Sequence, residues 1–299
     1  MWTVIRLAFP LLFLTATLAF ATPRVVVSIK PVHALVAAVM QGVAEPLLLL
    51  DANTSPHTAS LKPSQARAIN DADLVFWIGP ELESFLAKPL ASRADAATAF
   101  LDDGSIRKAA EITEEPTQHD DHAHDHGSID PHVWLDPQLA KRMAQLITAR
   151  LSSADPAHAD TYQSNGAALG ASLDALDHDI GLQLAGAGQS GFVVFHDGFN
   201  HFSRRYHLRD VGVITINPDV SPGAERITEL REQLLSGAAS CVFSEPQFNP
   251  KLVETITDGT EARTGILDPL GSNVAAGPLA YEMIMRNLAR GVADCLIAK

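Results

Sequence analysis

Cysteine is nearly absent: Cys241 and Cys295 are the only two in 299 residues. They stand 54 positions apart (295 − 241), unlike the closely spaced ligands typical of zinc–cysteine sites. The chain holds no GxxxxGK[ST] loop and no HExxH, which excludes a P-loop ATPase and a protease of the HExxH class. Basic residues are few, 22 Lys and Arg against 35 Asp and Glu, for a formal charge of −13. Such a surface repels phosphate backbones, so nucleic acid is not an expected partner. Past the N-terminal segment, no apolar run is long enough to span a membrane.

That segment, MWTVIRLAFPLLFLTATLAFA (1–21), carries Arg6 before an apolar run from Leu7 to Leu14. Ala19-Phe20-Ala21 follows with small residues at the A-x-A positions, so we expect a cleaved secretory signal peptide. The weakly apolar TAT (15–17) argues against a membrane anchor, and no cysteine follows for lipid attachment. Cleavage removes Arg6, the segment's only charge, and takes −13 to −14. In an exported chain the cysteine pair reads first as a disulfide, contributing roughly 4 kcal/mol in the chain-entropy model. Two buried thiols are the alternative.

Among the remaining residues, short apolar runs alternate with helical patterns. RVVVSI (24–29), PLLLLD (46–51) and DLVFWIG (73–79) read as buried strands, and Val32, Leu35, Val36, Val39 and Met40 keep helical spacing between the first two. Residues 111–130 are rich in acids and histidines and lack Lys and Arg, which predicts an exposed loop. DPQLAKRMAQLITARL then offers Asp136 as N-cap and Pro137 at the first helical position. A long helical pattern covers 156–184, with Gly166 and Gly170 as weak points. Strand patterns resume at 191–195, 211–216, 240–243 and 263–267, with helices opening near Pro222 and Asn249. The pattern predicts two α/β lobes with mainly parallel sheets, joined by a long linking helix. We place the N-terminal lobe at 22–153 (with the loop at 114–130), the linking helix at 154–187 and the C-terminal lobe at 188–299. No short internal repeat is visible.

Ligand sites in open α/β sheets form at the carboxyl ends of strands. PLLLLD leads into ANTSPHTASLKPS with His57, GFVVF ends on His196 and Asp197, and RTGIL ends on Asp268. His132 sits in DPHVWLDP, just before a helix. Meeting in an interlobe cleft, His57, His132, His196 and Asp268 would make a four-ligand cation site. Asp197 reads instead as an N-cap for the following helix. His33, His158, His178, His201 and His207 lie on predicted helices or their ends and read as packing or surface groups.

SIKPVHALVAAVM, SPHTASLKPSQARAINDADLVFWIG, DPHVWLDP, FVVFHDGFNHF, INPDVSPG and CVFSEPQFNP…LDPLG together resemble the metal-binding subunits of ABC importers. Within them they are similar to the zinc-specific periplasmic, ZnuA-like proteins. The resemblance covers nearly all of the chain after residue 21, in order. It implies a periplasmic monomer that binds Zn2+ in the cleft and delivers it to a separate permease and its ATPase, with no enzymatic role. His57, His132 and His196 match the family's histidine ligands, and Cys241 and Cys295 its disulfide pair. Asp268 matches a carboxylate that ligates in some members and lies just beyond the metal in others. Some zinc members carry Glu directly before the first histidine; here it is Pro56. The fourth ligand is therefore expected to be Asp268, with water as the alternative.

Imidazole suits zinc, whereas manganese favours oxygen-rich sites, and manganese-type relatives tend to carry Glu where this chain has His196. His119, His122, His124 and His126 are interleaved with Asp120, Asp121 and Asp125 in the acidic loop. A flexible loop must be ordered to gather ligands, so we expect an accessory site that binds zinc weakly and exchangeably. The alternative is a solubilising insertion. Three rival functions remain at this point: a manganese-binding protein of the same fold, an adhesin-like protein, and a zinc hydrolase with Asp268 as base.

Overall fold

Val25–Val27 forms β1 and is buried on both faces, as required of a parallel strand covered by helices. The computed structural model describes residues 22–111, 129–215 and 221–297. The expected signal peptide and the histidines from His119 to His126 lie outside the described residues. After β1 come α1 (Lys30–Val39), β2 (Leu47–Leu48), α2 (Pro63–Asp71), β3 (Leu74–Trp77), α3 (Ser84–Ala91), β4 (Ala97–Ala99) and α4 (Gly104–Ala110). A 3-10 turn at Val133–Leu135 leads into α5 (Pro137–Ala154) and α6 (Ala159–Gln183). The chain then runs through β5 (Gly191–His196), α7 (Asn200–Arg205), β6 (Arg209–Thr215), α8 (Ala224–Leu235), β7 (Ala239–Ser244), α9 (Lys251–Thr257), β8 (Arg263–Ile266) and α10 (Ala280–Leu296).

The strands form two four-stranded sheets in the orders β2-β1-β3-β4 and β6-β5-β7-β8. Every pairing is parallel. The same order recurs in both sheets although no sequence repeat announces it. β4 was not among the expected strands. Its residues, Ala97, Thr98 and Ala99, make no apolar run, and its register comes from pairing with Val75, Phe76 and Trp77 of β3.

Alternating side chains divide the core. Val25, Val27, Phe192 and Val194 face one continuous cluster, to which α1, α5, α6 and α10 all contribute. Val26 faces a cluster closed by α2 and α3, and Val193 and Phe195 face one closed by α8 and α9. This is the period-2 alternation of a strand. The shared cluster joins the two sheets through one buried apolar layer.

Asp136 caps α5 as expected, its carboxylate accepting from the Gln138 N–H at 2.8 Å, with Pro137 in the first turn. α6 runs for 25 residues through both glycines. Gly166 is a close approach instead of a break: a Cβ there would stand 2.2 Å from Thr148 Oγ1 on α5. Cys241 on β7 and Cys295 on α10 form the disulfide, which leaves no free thiol.

Glu83, the residue directly before α3, is fully buried. It accepts from Ser28 Oγ at 2.5 Å and from the N–H groups of Ile78 and Gly79 at 3.0 Å. Burial outweighs these hydrogen bonds and pushes its pKa up to about 7. Its stabilising contribution is therefore complete below the ordinary pKa of 4.5 and lost as pH rises through 7. A Glu83→Gln variant keeps an acceptor for both N–H groups and cannot ionise. It should exceed the parent in urea-unfolding stability by about 3 kcal/mol at pH 8 and lose that advantage at pH 4. Parallel stability–pH curves for the two proteins would contradict this account.

Candidate metal centre

Three histidines arrive from distant segments. His57 lies on the loop between β2 and α2, His132 immediately precedes the 3-10 turn before α5, and His196 is the last residue of β5. The Nε2 atoms of His57 and His196 each stand 3.2 Å from His132 Nε2. All three residues offer ligand atoms within 4.8 Å of one another, the only such metal-capable group among the described residues. Tetrahedral zinc with Zn–N bonds of about 2.0–2.1 Å sets its nitrogens roughly 3.3 Å apart. The two 3.2 Å spacings match.

Carboxylates aim two of these rings. Asp130 Oδ1 accepts from the His132 N–H at 3.0 Å and from its Nδ1 at 2.8 Å. Glu245 Oε1 accepts from His196 Nδ1 at 2.5 Å. With the proton on Nδ1, a neutral ring presents a bare lone pair at Nε2. In that tautomer His132 and His196 hold two acceptors 3.2 Å apart inside the protein, the two residues being only 3% and 4% exposed. Nothing but a cation or a proton makes that arrangement favourable. Burial and the two neighbouring imidazoles drive the pKa of His57 down to about 3, keeping it neutral. Burial also opposes protonation of His196, but Glu245 outweighs it and raises the pKa. Asp130 stays well below the carboxylate range: burial works against its charge, and the bond to His132 overcomes that. His201 Nε2 in turn binds the Asp130 carbonyl at 3.1 Å.

Room for an ion is left by Gly198. A Cβ there would lie 2.4 Å from His196 Nε2 and 3.0 Å from His132 Nε2, so any side chain intrudes between the rings. Pro56, Trp134, Phe248, Pro269 and Leu270 complete a mostly apolar wall around a cavity of about 10 Å³. Trp134 Nε1 donates across the cleft to the Pro269 carbonyl at 2.9 Å. Lys30 Nζ reaches the carbonyls of Gly271 and Val274 at 2.6 and 2.7 Å.

Residues 25–295 match the family model described as zinc-uptake complex component A, periplasmic (ZnuA). The chain belongs to the ZnuA family. The high-affinity zinc uptake system protein ZnuA of Brucella abortus (strain 2308) is 40% identical over 95% of each chain. That of Yersinia pestis is 35% identical over 92% of each. A crystal structure of ZnuA superposes with a TM-score of 0.76 at 28% identity, covering 92% of this chain and 100% of its own. The periplasmic zinc-binding protein TroA of Treponema pallidum reaches 0.81 at 20% identity, covering 92% and 99%, and shows the fold alone.

ZnuA membership leaves the remaining expected site residues to geometry. Asp268 does not join the histidines. Its Oδ1 accepts from the N–H groups of Leu270 and Gly271 at 3.2 and 2.9 Å and from Gln247 Nε2 at 3.0 Å, and its Oδ2 from the Ser272 N–H at 2.5 Å. The carboxylate shapes the turn after β8, and Asp268 is not in the metal-capable group that the three histidines form. Asp197 caps no helix N–H either, and instead accepts from Asn200 Nδ2 at 2.7 Å. His33 is a packing group as expected, bonded to the Pro46 carbonyl at 3.0 Å. His158 bonds Asp155 at 2.7 Å.

The sequence reading missed Asp130, Glu245 and Gly198. Two of them carried a signal. Asp130 stands two residues before His132 in the same DPH, and Glu245 directly follows β7, so the strand-end rule that selected His196 also reaches it.

Proposed function

We propose that the chain is the periplasmic zinc-capturing component of an ABC-type zinc importer. It binds one Zn2+ through His57, His132 and His196 and delivers it to a membrane-embedded permease with its ATPase. The observation that carries this reading is the pair of Nε2 atoms 3.2 Å apart on two rings whose Nδ1 atoms are bonded to Asp130 and Glu245. Three nitrogen ligands favour tetrahedral zinc over manganese, which prefers oxygen. With Asp268 engaged elsewhere, the fourth position falls to water.

The chain acts as a monomer, exported by residues 1–21 and divided into lobes at 22–153 and 188–299 around a linking helix at 154–187. Each proposed lobe contains one of the two sheets. No helix among the described residues is long and apolar enough to cross a membrane, consistent with reliance on a separate permease. A hydrolase would need a general base beside the metal, and Asp268, the sequence's candidate, has its oxygens occupied by N–H donors. The acidic loop with His119, His122, His124 and His126 serves as an accessory, weaker zinc collector.

Calorimetry on chelator-stripped protein tests these assignments. We expect one tight zinc at the cleft, manganese bound far more weakly, and a second, weaker zinc that disappears when residues 118–127 are deleted. Manganese bound as tightly as zinc, or loss of the tight site on loop deletion, would overturn the reading.

A further inference from the structure

Gln247, two residues past Glu245, lines the same cavity as the three histidines. Its Nε2 donates to the Ala52 carbonyl at 2.9 Å, Asp268 Oδ1 at 3.0 Å and Ser272 Oγ at 3.1 Å. A carbonyl and a carboxylate only accept, so the amide nitrogen has to face them and the orientation of the group follows. That leaves Gln247 Oε1 pointing away from this junction, buried and without a partner. Ser55 Oγ, two residues before His57 and on the same cavity, is likewise buried and unpartnered. Two orphan polar atoms on the small cavity that the three imidazoles also line call for a polar occupant. The cavity volume of about 10 Å³ is near what a single water requires.

A zinc held by three imidazoles keeps one open position. A water bound there spends a lone pair on the metal and turns both of its hydrogens outward, in need of acceptors. Gln247 Oε1 is an acceptor only, and the Ser55 hydroxyl can accept. We propose that Gln247 and Ser55 are positioning residues that hold the water completing the coordination of the captured ion. The proposal rests on the zinc-binding reading above and adds to it the outer partners of the fourth position. It also gives Asp268 a part: by fixing the Gln247 nitrogen it aims the oxygen at the cavity. Because Ala52 belongs to the His57-bearing loop of the first lobe, Gln247 in the second lobe is aimed fully only while that loop is docked.

The test uses Co2+ as a spectroscopic probe in the mature, metal-stripped chain. The visible band of the Co2+ form is titrated with pH to follow ionisation of a metal-bound water, in the parent and in Gln247→Leu and Ser55→Ala. The parent band should titrate, and each variant should shift the midpoint by about one pH unit. Zinc affinity should fall about tenfold at unchanged stoichiometry, the low end of what loss of an outer-shell partner costs. A parent band that does not titrate, or variants that titrate with the parent, would overturn the proposal while leaving the three-histidine site standing. Failure of the parent to bind Co2+ or Zn2+ at all would instead overturn the functional reading. Ser55→Ala, a small deletion on a loop, keeps the test decisive if Gln247→Leu folds poorly.

Discussion

A His196→Ala variant is expected to lose zinc affinity by more than about a hundredfold, because deleting a ligand should exceed the 10- to 100-fold that an outer-shell partner is worth. His196 is the most committed of the three imidazoles. It ends a buried central strand, β5, which pairs with both β6 and β7, so strand geometry fixes its backbone before any metal arrives. Glu245 fixes its ring through Nδ1. Alanine removes one lone pair from the cation and also leaves the Glu245 carboxylate buried without its donor, a second penalty. His57 is held differently: it sits on a loop, is partly exposed, and has no carboxylate on its ring among the described hydrogen bonds. His57→Ala should therefore weaken binding less than His196→Ala. Competition titration against a chromophoric zinc chelator measures both. An affinity of His196→Ala within threefold of the parent would eliminate this residue as a ligand.

Removing the disulfide should produce the largest change in stability. Cys241 and Cys295 close a loop of sequence separation 54 and tie the central part of β7 to the last turn of α10. In the unfolded chain that link removes loop entropy worth roughly 4 kcal/mol. Both residues are buried in the core shared by the two sheets, at 0% and 5% exposure. A double Cys241→Ala/Cys295→Ala variant should thus unfold at lower urea concentration and at a temperature lower by about 10 °C. Far-UV circular dichroism follows both transitions. Zinc stoichiometry should remain one, since neither sulfur belongs to the metal centre. A melting temperature within 2 °C of the parent would show that the link constrains the unfolded chain far less than its length implies.

The chain's own pattern determined much of this protein. Apolar runs bounded by polar turns marked every strand except β4, because a buried parallel strand must be apolar on both faces and a short edge strand need not be. The direction of those strands then selected His57 and His196, since loops at carboxyl ends converge in an open sheet. His132 was singled out by its place just before a helix, the cysteine pair by the exported context, and motif resemblance matched both to the family's ligands and disulfide. Tertiary structure alone decided the rest. Asp268 has the right residue type at the right strand end, yet its oxygens go to backbone N–H groups of its own turn, an outcome set by local backbone geometry that no spacing rule encodes. Glu245 and His196 lie 49 positions apart, and only the adjacency of β5 and β7 makes one the orienting partner of the other. Gly198 reads as an ordinary turn glycine until the rings of His132 and His196 close around the space its missing side chain leaves. Residue type and strand direction mark the candidate ligands, and the linear chain carries both. Ligand orientation depends on which lone pairs and protons meet when distant segments pack, and that arises only in the folded molecule.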